Sequence, residues 1–339
     1  MESTTKNRQP VGTLRAMVTR AYGPGQLPGD DEGWAEELAH GWFNVVYRIR
    51  LLDGRRVVLK IAPPAHVEVM TYERGAMATE LTALELIRRQ TTVPVPDVHF
   101  ADRSHELCDA DYFFMSHVDG DNLAVLRQEG DLGQAGRDAY DEALGALNRE
   151  LNQIPGPGFG PLTGPVEPSW RDYFLRRMRE LLHDGERRGV DLGLGYDEVR
   201  QTVAAHADAL DEVTRARFVE WDLWPGNAIV RDGALAGIID HERAFYGDPL
   251  VEAGFTGIDM PDLFGDATPF MRGYGMGAPT PGERRRRRLY SLYLILVMVI
   301  ETEYRGHTTT EHYDWARDQL ARLMKTPVRE VVPPTVEQP

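Results

Sequence analysis

Cysteine is almost missing from this chain: Cys108 stands alone among 339 residues. An intrachain disulfide is therefore excluded, and covalent crosslinks are not what holds the fold. Lysine is scarce too, with three against thirty-five arginines. No cluster of cysteine and histidine has the spacing of a metal site. No Gly-x-Ser-x-Gly elbow is present, so the sign of a hydrolase is lacking. The strongly apolar run 289–300 is twelve residues long, where about twenty are needed to cross a bilayer. Residues 1–8, Met-Glu-Ser-Thr-Thr-Lys-Asn-Arg, contain no apolar core, so no secretory leader is read there. A cytoplasmic protein with no membrane partner is the expectation.

What is present suits a globular enzyme: 42% hydrophobic and 27% charged residues, with a net charge of −15. The arginine run 284–288 is a possible nucleic-acid patch, but the acidic excess disfavours binding a phosphate backbone. Thr280-Pro-Gly-Glu283 ahead of that run has the form of a capped helix start. Residues 281–305 are read as a buried helix with a basic first turn.

The most informative stretch is Phe218-Val-Glu-Trp-Asp-Leu-Trp-Pro-Gly-Asn-Ala-Ile-Val230, followed by Gly-Ile-Ile-Asp240. Asp222, Asn227 and Asp240 stand 5 and 13 residues apart. Kinases space a catalytic carboxylate, a metal-binding amide and a metal-binding carboxylate in this way. Asp232-Gly233 between two apolar runs reads as a tight hairpin. Asn227 and Asp240 would sit at its adjoining ends, within reach of one metal.

A second constellation lies upstream. Gly41-Trp-Phe-Asn-Val-Val-Tyr-Arg-Ile49 reads as a glycine turn entering a strand. Arg56-Val-Val-Leu-Lys-Ile61 reads as its partner, with Lys60 near the end. Alone, a strand lysine is more often a solvated residue. Residues 76–89 show helical spacing through Met77, Leu81, Leu84 and Ile87. Glu80 lies beside that stripe, better placed than Glu85 to meet Lys60.

In this order, with Val93-Pro-Val-Pro96, the apolar strand 112–115, Asp-Leu-Trp-Pro-Gly-Asn and Ile-Ile-Asp-His-Glu, the chain resembles the aminoglycoside phosphotransferase family, small-molecule relatives of the protein kinases. The resemblance runs from about Gly41 to about Gly254. It implies an α+β, bilobal protein-kinase-like fold with an antiparallel-sheet N-lobe and a mainly helical C-lobe. The nucleotide lobe would be 1–115, the hinge 116–121, the catalytic and acceptor lobe 122–326, and 327–339 a disordered tail. Residues 1–30 read as disordered, or as a short helix followed by a loop.

The resemblance further implies ATP or GTP with Mg2+ as cofactors. Asp222 would be the catalytic carboxylate, and Asn227 and Asp240 would hold magnesium. Gly41 and Asn44 would lie over the phosphates, Lys60 would bind them and pair with Glu80, and Ser116 and Val118 would meet adenine. Asp248 of Gly-Asp-Pro would brace the catalytic loop. In one place the sequence departs from the family: the usual histidine two residues before the catalytic aspartate is Glu220. A carboxylate there crowds Asp222, since like charges raise each other's pKa.

Charge suggests the acceptor. Residues 1–118 hold 16 acidic and 13 basic residues; residues 119–339 hold 37 and 25. An acidic acceptor lobe favours an amine-bearing antibiotic such as an aminoglycoside, hence a resistance function. Glu242, Asp259, Asp262, Glu301 and Glu303 are the candidate contacts, with Tyr246 and Phe255 as ring contacts. The alternatives are a metabolic kinase for a sugar or amino alcohol, and a catalytically weak kinase-like binding module. A monomer or homodimer is expected.

Overall fold

The computed structural model describes residues 3–29, 33–38, 41–130, 132–307 and 309–327. Most of the expected tail, 328–339, lies outside the described residues. The first part of the chain is α1 (Val11–Tyr22), β1 (Ala35–Glu37), β2 (Val45–Arg50), β3 (Arg56–Ile61), α2 (Ala76–Gln90), β4 (Val98–Asp102) and β5 (Tyr112–Ser116). The strands form one antiparallel sheet in the order β1-β2-β3-β5-β4.

The period-two alternation of β3 assigns its faces. Val57, Leu59 and Ile61 pack with Leu14, Met17 and Val18 of α1. Val58 packs on the opposite face with Met77 and Leu84 of α2. Lys60 shares the parity of Val58, so the pleat delivers its ammonium to the α2 side, where Glu80 waits. A one-residue register slip would turn it away.

The chain then passes to β6 (Asp121–Asn122), which pairs with β9 (Ala228–Arg231). In between come α3 (Leu123–Glu129), α4 (Gln134–Leu151), β7 (Gly160–Pro161), α5 (Trp170–Arg187), α6 (Tyr196–His206) and β8 (Arg217–Val219). After β9 follow β10 (Ala234–Ile238), β11 (Phe245–Gly247), α7 (Pro261–Phe264), α8 (Thr268–Tyr274), α9 (Pro281–Arg305) and α10 (Glu311–Lys325). The arrangement is bilobal α+β, a sheet lobe and a mainly helical lobe, as expected. Among the described residues no helix is long and apolar enough to cross a membrane.

Helix α9 is the axis of the helical lobe. Thr280 and Glu283 form a reciprocal capping box, Pro281 opens the first turn and Gly306 closes the helix in the left-handed region. The arginine run at its start makes no surface patch. Arg286, Arg287 and Arg288 are buried. Arg286 pairs with Asp248 at 3.0 Å, Arg287 with Asp259 at 3.3 Å, and Arg288 donates to the Leu323 and Thr326 carbonyls. Arg286 to Arg288 are spent on acids and helix-end carbonyls inside the lobe.

Of the two readings of residues 1–30, the short helix followed by a loop is the one found, as α1. Ahead of α1 the described residues thread between the lobes. Thr4 donates its amide to the Arg305 carbonyl at 3.0 Å and its hydroxyl to the Tyr304 carbonyl at 2.9 Å. These are last-turn carbonyls of α9, which have no partner within their own helix. Thr5 then donates to the Trp42 carbonyl at 3.0 Å, Lys6 to the Asn44 carbonyl at 2.6 Å and Asn7 to the Ala62 carbonyl at 3.2 Å.

Candidate active site

The hairpin of β9 and β10 turns at Asp232 and Gly233, both at positive φ, as the tight mirror-image turn requires. The Ile239 amide donates to the Asn227 carbonyl at 3.0 Å, so Asn227 and Asp240 start from adjacent backbone. The Asn227 side-chain amide donates to the Asp222 carbonyl at 3.0 Å and to its carboxylate at 3.1 Å. With the amide nitrogen so engaged, the Asn227 side-chain oxygen keeps its lone pairs for a cation. Asp240 sits at φ 72, the left-handed region that a non-glycine residue adopts only when its surroundings impose it.

Lys60 is the meeting point. Its ammonium donates to Glu80 at 2.6 Å, to Asp240, and lies 3.0 Å from Glu242. Lys60 and Glu80 are 3% and 1% exposed, so the pair is cut off from water. Burial works against the lysine's charge, but Asp240, Glu242 and Glu80 outweigh it and hold the ammonium well above its usual range. Burial pushes the Glu80 carboxyl up despite Lys60. Burial and then Asp240 push Glu242 up to about 8, with Lys60 pulling the other way. Carboxylate oxygens of Glu80, Asp240 and Glu242 lie within 4.8 Å of one another. With the Asn227 oxygen they are hard donors of the kind magnesium takes. One Glu80 oxygen is buried with no hydrogen-bond partner among the described residues.

Glu242 therefore belongs with the donor-side cluster and not with the acceptor contacts. Asn44 fixes it, donating its side-chain amide to the same carboxylate oxygen that faces Lys60. Gly41 lies close by, with a Cβ there 4.0 Å from the Lys6 ammonium. The Ser116 amide is taken by the Asp97 carbonyl at 2.8 Å. The Val118 side chain packs on Gly237 of β10.

Asp222 follows Trp221, itself at φ 67. Burial pushes the Asp222 carboxyl up, Arg243 pulls it down, and Asp240 and Glu220 push it up again. The loop around it hangs from Glu252, which is fully buried and accepts from the Trp221, Leu223 and Ala253 amides at 3.1, 2.8 and 3.1 Å. That bracing was expected of Asp248. Asp248 instead accepts from the Leu250 amide, Arg286 and the Tyr290 hydroxyl at 3.1, 3.0 and 2.6 Å, tying the segment to α9.

Glu220 does not crowd Asp222 uncompensated. Its carboxylate meets the His241 ring at 2.8 Å, and the other ring nitrogen faces the Ile238 carbonyl at 3.2 Å. Both ring nitrogens face acceptors, so both carry protons and the pair is a buried imidazolium and carboxylate. Burial lowers the His241 pKa, but Glu220 outweighs it and the net shift is upward. The sequence has an acid at 220 and, immediately after Asp240, the base that answers it.

The remaining acceptor candidates scatter. Asp259 is committed to Arg287 and to the Ser291 hydroxyl at 2.9 Å. Asp262 lines a crevice with Asp259, Arg284 and Arg322, whose walls include none of Lys60, Asp222, Asn227 or Asp240. Glu303 is exposed on α9. Phe255 is fully buried against Phe270, and Tyr246 packs its ring on Gly156, so neither opens to a ligand. Glu301 alone lies near the catalytic loop, 3.8 Å from Arg243 and 3.7 Å from Arg305.

Comparison with known proteins places this geometry. The sequence model described as the phosphotransferase enzyme family matches residues 34–290. The fold is similar to that of a thermostable mutant of aminoglycoside phosphotransferase APH(4)-Ia in apo form, at a TM-score of 0.63 and 17% identity, covering 91% of this chain and 98% of that one. A mutant of that protein in ternary complex with ADP and hygromycin B gives 0.65 at 16% identity, covering 94% and 100%. A putative fructosamine-3-kinase from Thermobifida fusca gives 0.63 at 21% identity, again covering 94% and 100%. A subtelomeric hrmA-associated cluster protein of Aspergillus fumigatus is 31% identical over 93 residues, which is 26% of this chain and 17% of that relative's length.

Proposed function

The chain belongs to the phosphotransferase enzyme family, and on that premise we propose that it moves the γ-phosphate of ATP, with magnesium, to a hydroxyl group of a small molecule. The observation that carries the reading is the convergence on Lys60. A strand of one lobe, helix α2 and the hairpin end of the other lobe bring Lys60, Glu80, Asp240 and Glu242 into one cluster, buried at Lys60 and Glu80 and open to solvent at Asp240. A triphosphate entering beside it meets an ammonium already held in place, so little reorganisation accompanies binding.

Asn227 and Asp240 are the residues to hold the metal, and Asn44 with Gly41 stands over the phosphates. Magnesium, when bound, neutralises phosphate charge. Asp222 receives or orients the proton of the acceptor hydroxyl. Arg243 and Asn227 favour its ionised form against burial. Glu252 holds the loop amides on both sides of it. Val118 is the better adenine contact of the hinge pair: the Ser116 amide is engaged, and the Val118 amide makes no hydrogen bond among the described residues.

Not every acid of residues 119–339 is available to an amine-bearing acceptor. Glu220, Glu252 and Asp259 are consumed by His241, loop amides and Arg287. The test is the Asp222→Asn protein. It should bind ATP and magnesium as the parent does and release ADP about 10²- to 10⁴-fold more slowly with a competent alcohol. Undiminished transfer would reject Asp222 as the base.

A further inference from the structure

Residues 3–7 lie ahead of residues 34–290, the part of the chain that matches the phosphotransferase family. They are nevertheless built into the site. Thr5 and Asn7 are buried. Thr4 seats on the end of α9, where a Cβ on Gly306 would stand 2.7 Å from its methyl group. With Thr4 held by the Arg305 and Tyr304 carbonyls and Asn7 by the Ala62 carbonyl, the backbone between them has one fixed end on each lobe. Lys6 stands in that span. Its ammonium reaches the glycine turn, 2.6 Å from the Asn44 carbonyl and 4.0 Å from a Cβ on Gly41.

That ammonium is half-buried and makes no ion pair among the described residues. Glu37 acts on it through space but is paired with Arg8 at 2.7 Å. Asp240 and Glu242 reach it too, and both already share Lys60. An ammonium has three donors, and one is used here. The turn beside it is also short of partners. Residues 41–44 contain a single glycine, and side chains pin the turn from behind. The Phe43 ring lies 5.0 Å from the Arg305 guanidinium and the Trp42 ring 4.4 Å from that of His307. The amides of Trp42, Phe43 and Asn44 donate no hydrogen bond among the described residues. Successive free amides form a concavity for anions.

We propose that Lys6 is a second cation for the triphosphate, carried to the glycine turn by the amino-terminal strap from outside the part of the chain that defines the family. Charge balance is the reason. Lys60 is shared among three carboxyls, so its charge is matched before any phosphate arrives. Asp240 is the member of that cluster open to solvent, and its charge reaches Lys6. A triphosphate entering between the cluster and the free amides gains from an ammonium that no acid has claimed. Lys6 binds the phosphates and takes no part in the transfer, so its contribution falls on affinity and not on turnover.

The inference rests on the phosphotransferase reading for where the phosphates sit. Titration calorimetry on the full chain with magnesium and, in turn, ATP, inorganic triphosphate and adenosine tests it without following turnover. Lys6→Met keeps the stem and drops the charge. It should weaken ATP and inorganic triphosphate about five- to tenfold and leave adenosine unchanged, and Lys6→Arg should recover part of the loss. Lys6→Gln serves as the second variant if Lys6→Met melts early. Equal weakening of ATP and adenosine would mean that Lys6 only holds the turn in shape. Unchanged ATP binding in both variants would mean that the phosphates lie elsewhere. Either result overturns the proposal. A parent protein that binds neither ATP nor triphosphate ends the phosphotransferase reading and the proposal together, whereas a parent that binds ATP no better than its Lys6 variants leaves that reading standing.

Discussion

Replacing Glu220 with glutamine tests the electrostatic logic of the catalytic segment most sharply. Glu220 and His241 are 1% and 0% exposed, and their contact is 2.8 Å. Glutamine keeps the shape but removes the charge that balances the imidazolium. The ring must then stay charged without a counter-ion or lose a proton and break its hydrogen bond to Ile238. Removing one partner of a buried pair costs about 3 to 5 kcal/mol. His241→Gln leaves the carboxylate bare, and one of its oxygens already lacks a partner, so the loss should be of the same order. The double variant Glu220→Gln/His241→Gln leaves no buried charge, so its loss should fall short of the summed single losses by about 2 kcal/mol or more. Urea unfolding of the four proteins, read by tryptophan fluorescence at neutral pH, measures the cycle. Additive losses would mean that the two residues do not form an ion pair, and the account of how this chain tolerates an acid beside Asp222 would fail.

Other outcomes follow from single contacts. Lys6 donates to the Asn44 carbonyl above the Lys60 cluster, with Asp240 and Glu242 acting on it through space; Lys6→Met should raise the KM for ATP several-fold with little change in kcat, measured by coupled ADP release. Gly145 admits no side chain, since a Cβ would stand 2.0 Å from the Phe270 carbonyl of α8; Gly145→Ala should cost about 1 to 3 kcal/mol in urea unfolding, because backbone cannot rotate aside as a side chain can. Burial opposes the Asp102 charge, but hydrogen bonds from Ser104, Arg20 and Tyr112 outweigh it and hold its carboxyl well below the ordinary value of 3.8. A depressed acid stabilises the fold above its unfolded pKa and loses that contribution as pH falls below it. The urea midpoint of the parent should therefore drop more steeply below about pH 4 than that of Asp102→Asn.

Local sequence settled a good deal. Asp232-Gly233 could only close a tight hairpin, so the adjacency of Asn227 and Asp240 was legible. Thr280, Pro281 and Glu283 marked the start of α9 because capping is written in consecutive residues. Strand alternation set the face of Lys60, and helical spacing put Glu80 on the matching side of α2. What could not be read were the partners of charges far apart in the chain. Nothing in composition says that Arg286–Arg288 turn inward, that Glu252 rather than Asp248 holds the loop, or that Glu242 joins the lysine cluster and leaves the acceptor side. The imidazole answering Glu220 is 21 residues away, and the rings around Arg177, those of Tyr72, Tyr173, Trp221, Phe245 and Tyr293, come from five separate segments. Secondary structure follows from neighbours within a few residues, whereas the free energy of a buried charge depends on whatever the fold brings within a few ångströms of it. The sequence by itself determined the lobes, the hairpin and the likeness to phosphotransferases; only tertiary packing decided which ionic groups neutralise one another.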